Sequence, residues 1–304
     1  MDFDSFKINF KENVNRGIHK KIIYKIIDTP YRFKSIFNPI NLINKIKQST
    51  LRSQEFAFNK FLKSLTSDEL KKQKFEELEN KNKYIVLVDQ EKDQYLEKKV
   101  NFDHIFKNEE NKIIYLIDQK NRDIYSYKKA NEMLEKFIDK ASLYQKQNSD
   151  YKIHAFIWFM DDEYKVNKDY FCNVVEKKQN ENIVYHIFYG DQFYRFMNIE
   201  NEWIETIHNL ENIKRVEPKE LFVNINLDKD PEALEVLINL SNTSWEKLNS
   251  DDETYKQIRT QIFDDKNPNS NLLKAFDLRE IKSKSKDEDE YKNNLINYNK
   301  NHRE

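Results

Sequence analysis

Five stretches of the chain are short and dense in β-branched and aromatic residues: "YIVLV" (84–88), "VNFDHIF" (100–106), "IIYLI" (113–117), "IHAFIWF" (153–159) and "IVYHIFY" (183–189). Runs of that length and composition predict β-strands. Between the third and fourth, "YKKANEMLEKFIDKASLY" sets Met133, Leu134, Phe137 and Ile138 at helical spacing, which predicts an amphipathic helix. "EYKVNKDYFCNVVEKK", between the fourth and fifth, predicts another. Upstream, Phe58, Phe61, Leu62 and Leu65 recur with the same period and predict a helix near 50–65, with more helix over the charged stretch 68–83. Pro30 and Pro39 predict turns and extended chain, and Gly190 suits a strand-to-helix turn.

The resulting order is helix, three strands, helix, strand, helix, strand. Three successive strands predict a meander, and the strand–helix–strand units after them predict parallel crossovers. A mixed α/β fold follows, with a central mixed sheet flanked by helices on both faces. Beyond residue 210 the pattern is mostly helical, interrupted at Pro218, Pro231 and Pro268, and the stretch from "KSKSKDEDE" reads as solvated and partly frayed. The chain therefore divides into a basic N-terminal segment (1–49), a core (50–210) and a helical C-terminal region (211–304).

Composition narrows the picture. With 304 residues the chain can bury a sizeable core, and 13% aromatic residues exclude a disordered solvating chain. The net charge of −1 hides an uneven distribution: residues 11–60 carry eleven Lys and Arg against three Asp and Glu. Such a segment reads equally as a footprint for nucleic acid or as a solvated face. The single cysteine, Cys172, excludes an intramolecular disulfide framework and a Cys-based zinc site, and fits a reducing setting. With no leader-like start and no apolar run of spanning length, a soluble cytoplasmic protein with no membrane contact is expected. Only Gly17 and Gly190 are present, so a Gly-rich phosphate loop is excluded.

The chemistry lies at the ends of two strands. Asp103 is in one apolar stretch, and Asp118 with Lys120 closes the next. Side chains alternate along a strand, so residues 118 and 120 share a face, and adjacent hairpin strands can bring both carboxylates to one sheet edge. Two carboxylates there repel each other unless a divalent cation lies between them, so removing either is expected to leave the fold intact or stabilise it. Oxygen-only ligands suit Mg²⁺, and a neighbouring lysine can orient a water and offset charge on a phosphorane. Other features read as structural. "DDE" at 161–163 suits a helix N-terminus, His104, His154 and His186 suit packing or capping, and Trp158, Trp203 and Trp245 suit a core.

Asp103 with "Asp118-Gln119-Lys120" resembles the PD-(D/E)xK nucleases. "FNPINLINKIKQSTLRSQEFAFNKF", "IIYLIDQKNRD", "FIWFMDDEYKVNKDYF" and "IFYGDQFYRFM" look like successive blocks of a group of type II restriction endonucleases, over about residues 35–200. The resemblance implies a restriction-endonuclease-like core and Mg²⁺-dependent cleavage of double-stranded DNA at a specific sequence. It implies Asp103 and Asp118 as metal ligands and Lys120 as the catalytic lysine. It also implies a further acid from the helix preceding the sheet, for which Glu55 is the candidate and Glu77 the alternative. Asp118 stands where the group more often has glutamate. After Lys120, "NRDIYSYKK" offers Arg122, Lys128 and Lys129 to DNA phosphates, although Tyr125 and Tyr127 depart from the more basic pattern of the group. A homodimer on DNA and a cognate methyltransferase are further implications. A non-catalytic DNA-binding protein on a nuclease scaffold, and a structure-specific repair or resolvase nuclease, are the alternatives.

Overall fold

Four of the five predicted strands contribute to one sheet. A computed structural model of the chain describes residues 1–34, 37, 39–73, 75–78, 83–89, 94–216 and 225–301. Two compact units are present, residues 1–3 with 59–212, and residues 4–58 with 213–304.

The first unit holds a five-stranded sheet. Its strands are β1 (Glu76–Glu77), β4 (His104–Asn108), β5 (Ile113–Lys120), β6 (Lys152–Phe159) and β7 (Ile183–Tyr189), in the order β1-β4-β5-β6-β7. β1, β4 and β5 are antiparallel neighbours, while β5, β6 and β7 run parallel. The mixed sheet is thus as predicted, but the meander is not. Strand β2 (Lys83–Asp89) pairs with β3 (Gln94–Val100) in a separate two-stranded ribbon. The stretch 100–106 splits: Val100 ends β3, β4 begins at His104, and Asp103 occupies the bend between them. Strand β3, "QYLEKKV", escaped prediction because its charges mask the alternation.

Crossovers on both faces follow from the strand alternation. Helix α4 (Tyr127–Gln147) lays Leu134, Phe137, Ala141 and Tyr144 on the face carrying Ile114, Leu116, Ile153, Ala155 and Ile157, joined by Phe171 and Val175 of α5 (Lys168–Glu176). The opposite face carries Phe106, Ile117, Phe156 and Trp158, covered by Leu70 of α3 (Leu42–Lys72) and by Phe193 and Tyr194 of α6 (Gln192–Phe196). Trp158 is fully buried and donates Nε1–H to the Gly190 carbonyl at 2.8 Å. Gly190 has φ +57°, and a Cβ there would stand 3.0 Å from Asp162 Cβ, so the strand-to-helix turn requires glycine. His154 and His186 stack with centroids 5.2 Å apart beside Phe156 and Phe196, and burial pushes both imidazoles below their usual pKa. They pack, as expected.

The second unit is helical. Ile22, Ile23, Ile26 and Ile27 of α2 (Ile18–Asp28) and Leu42 and Ile46 of α3 share a core with Leu237, Leu248, Ile258 and Leu272. Those last four come from helices Pro231–Ile238, Asn242–Leu248, Glu253–Ile262 and Asn271–Lys284. N-terminal and C-terminal stretches therefore fold on one another, and the Tyr255 hydroxyl seals the contact by donating to the Ile27 carbonyl at 2.7 Å. Pro231 opens its helix at the first position, where proline costs nothing. Pro218 lies outside the described residues. Among the described residues the stretch from 282 is largely helical, since helix continues to Lys284 and resumes over Glu288–Asn301. Among the described residues no helix is long and apolar enough to cross a membrane.

Candidate active site

The β4–β5 register places the two acids. His104 pairs with Ile117, so one step further Asp103 faces Asp118 across the ladder. Asp103 Oδ2 accepts the Gln119 backbone N–H at 2.9 Å, so the carboxylate extends the ladder where backbone pairing stops. Lys120, two residues beyond Asp118, brings Nζ to 3.7 Å from Asp103 Oδ2 and 3.7 Å from Asp118 Oδ2. Burial pulls the Lys120 ammonium pKa down, but Asp118 and Asp103 outweigh it and leave it raised. The sequence-predicted trio is therefore assembled within one hairpin.

Two further lysines complete the site. Lys63 of α3 donates from Nζ to Asp103 Oδ1. Lys140 of α4 reaches Asp118 Oδ2 at 3.0 Å and the Asn101 carbonyl at 2.8 Å, with the Phe102 ring centroid 4.5 Å from Nζ. Sequence reasoning missed both. Lys140 borders the apolar stripe Leu134–Phe137–Ala141–Tyr144, but so do Lys129 and Lys136, and nothing local singles it out. Lys63 and Lys140 reverse one expectation. The carboxylates do not face each other uncompensated, so removing one should orphan part of a lysine cluster and lower stability.

The other acids separate clearly. Glu77 lies on strand β1, not on a helix, and belongs to the opposite face of the sheet. His104 and Gln119, adjacent in sequence to Asp103 and Asp118, point there and share a 3.1 Å hydrogen bond. His104, Lys71 and Ser67 hold the Glu77 carboxyl well below the usual range, at about 2. His104 Nδ1 stands 3.7 Å away, whereas Lys71 Nζ and Ser67 Oγ make 2.6 Å contacts. Because the folded-state value is depressed, the stability Glu77 contributes is complete above about pH 4.5 and is lost as the pH falls towards 2. Thermal melts across that window should be flatter for Glu77→Gln than for the wild type. Equal slopes would mean that Glu77 is merely solvated.

Glu55 is exposed on α3, within the 4–58 stretch of the second unit. Among the described residues no group of three or more His, Cys, Asp and Glu side chains is gathered for a metal ion. The donor set nonetheless fits a hard divalent cation: only carboxylate oxygens are offered, and ammonium groups already sit on them as stand-in cations. Past Lys120, Arg122 donates to Asp161 Oδ2 at 2.7 Å, while Lys128 and Lys129 are exposed on the first turn of α4. The "DDE" acids do not open a helix, since α5 begins at Lys168. Asp161 instead caps the Glu163 N–H at 3.0 Å and holds Arg122.

With this geometry in place, the family model described as type II restriction endonuclease, HinfI, matches residues 34–214, more than half of the chain. The chain belongs to the HinfI family. The mixed sheet with helices on both faces is the restriction-endonuclease-like α/β fold expected of that family, and the hairpin carrying Asp103, Asp118 and Lys120 lies inside the matched region. Among curated proteins none matches the chain.

Proposed function

We propose that this HinfI-family protein is a divalent-metal-dependent endonuclease that hydrolyses phosphodiester bonds in double-stranded DNA at a specific sequence. The observation that carries the reading is the convergence of Asp103, Asp118 and Lys120 at one hairpin end. Asp103 and Asp118 would hold Mg²⁺, which when bound supplies Lewis-acid polarisation of the scissile phosphate. Lys120 positions the attacking water and offsets charge as it develops on phosphorus. Lys128 and Lys129, exposed on α4, together with Arg122, would offset the charge of the DNA backbone. Cleavage of both strands calls for a second copy of the chain on DNA, and a host carrying such an enzyme in its cytoplasm needs a cognate methyltransferase.

The test is incubation of the full chain with unmethylated phage DNA, with Mg²⁺ or with chelator. Discrete bands that require Mg²⁺ support the reading, and intact DNA under both conditions overturns it. Cleavage confined to branched substrates would instead make this a structure-specific nuclease.

Glu55 is the proposed third acid. Glu55→Gln should shift the Mg²⁺ dependence of cleavage to higher concentration by about tenfold, as loss of one ligand does, whereas Glu77→Gln should leave it unchanged. A normal Mg²⁺ titration for Glu55→Gln leaves a two-carboxylate metal site.

A further inference from the structure

We propose that Lys63 gates this site: it occupies Asp103 Oδ1 until a divalent cation takes that oxygen, and then turns to the scissile phosphate. The inference rests on the metal-dependent reading above. Three ammonium groups face two carboxylates here, and they are held very differently. Lys140 is fixed by the Asn101 carbonyl, Asp118 Oδ2 and the Phe102 ring. Lys120 belongs to β5 itself and lies 3.7 Å from both acids. Lys63 arrives from α3, forty residues upstream of its partner, and its side chain remains 36% exposed.

Asp103 has divided its two oxygens. Oδ2 is committed to the Gln119 N–H, so Oδ1 is the oxygen through which Asp103 can best serve a cation, and Lys63 sits on it. An ammonium and a divalent ion cannot both make close contact with one carboxylate oxygen without strong mutual repulsion. A compact charge on a flexible four-carbon stem can leave, provided another anion receives it. In a nuclease that anion is the phosphodiester. DNA thereby draws Lys63 off Asp103 and makes cation binding easier, and by reciprocity the cation makes DNA binding tighter. A salt bridge that merely tied α3 to the sheet would have no such coupling.

Lys63→Met keeps the stem and removes the charge. Mg²⁺ binding to the full chain, measured by calorimetry without DNA, should tighten by about tenfold, within the usual range of coupling between sites. Cleavage at saturating Mg²⁺ should fall by about tenfold, and Lys63→Arg should restore the wild-type Mg²⁺ affinity. Unchanged or weaker Mg²⁺ binding by a folded Lys63→Met overturns the gate and leaves a structural salt bridge. If the methionine variant does not fold, Lys63→Gln decides by the same readout. Failure of the underlying reading is distinguishable: a wild-type chain that binds no Mg²⁺, or whose binding survives Asp103→Asn and Asp118→Asn together, removes the metal site and the gate with it.

Discussion

Replacing Asp118 by asparagine is expected to lower DNA cleavage by roughly 10³-fold or more while the chain stays folded. On the proposed metal-dependent reading, the variant loses several kcal/mol of the stabilisation that a bound Mg²⁺ would supply, at about 1.4 kcal/mol per tenfold in rate. Asparagine keeps the shape of the side chain but not the charge that draws in Lys120 at 3.7 Å and Lys140 at 3.0 Å. Both lysines retain some contact with water, at 24% and 20% side-chain exposure, so they can be partly rehydrated in the variant. The melting temperature should therefore fall by a few degrees rather than rise. Cleavage at a near wild-type rate would take Asp118 out of the site, and a raised melting temperature would mean that the carboxylates repel each other after all.

The largest stability effect is expected at Asp123, three residues past Lys120. Its side chain is 0% exposed and accepts from the Asn167 backbone N–H at 2.7 Å, the Asn167 amide at 2.7 Å and the Tyr189 hydroxyl at 3.0 Å. Burial, together with the Asp123 hydrogen bond and charge, pushes the Tyr189 phenol far above its ordinary pKa, so it stays a donor. These bonds pin the segment after β5 to the loop before α5, where Asp123 and Lys165 make a parallel bridge. Asp123→Ala strands several buried donors at about 1–3 kcal/mol each, for a total of about 3–5 kcal/mol. That is a large part of the stability of a typical domain. Tyr189→Phe, which removes one donor, should cost only about 1–2 kcal/mol. Chemical denaturation measures both. A loss below about 1 kcal/mol for Asp123→Ala would show that the loop does not depend on this network.

What could be read from the sequence divides along physical lines. Strands β5 and β6 are largely buried on both faces, and β7 is buried on one and partly covered on the other, so their apolar runs stand out from a charged background. The ladder follows the two-residue period, so Asp118 and Lys120 could be placed on one face, and a short hairpin could bring Asp103 opposite. Helix α3 starts earlier than predicted, at Leu42, because its first turns carry no continuous stripe, and it stops at Lys72 instead of running on through the charged stretch to 83. The two-residue strand β1 offers no period at all, which is why Glu77 read as helical. Lys63 and Lys140 were invisible for another reason. They reach the acids from helices 40 and 22 residues away, and no local pattern marks which of many lysines will be brought round.

The β4–β5 hairpin has one more consequence. Asp103, Asp118 and Lys120 owe their spacing to eighteen consecutive residues and one strand register. On the proposed reading these groups travel together in one hairpin, steadied from α3 by Lys63 and from α4 by Lys140, rather than in the segments that would touch bases. Changes in those segments would then leave the register of the hairpin, and with it the spacing of the three groups, as it is. A slip of one residue within the hairpin, by contrast, would turn Asp118 and Lys120 to the other side of the sheet and part them from Asp103.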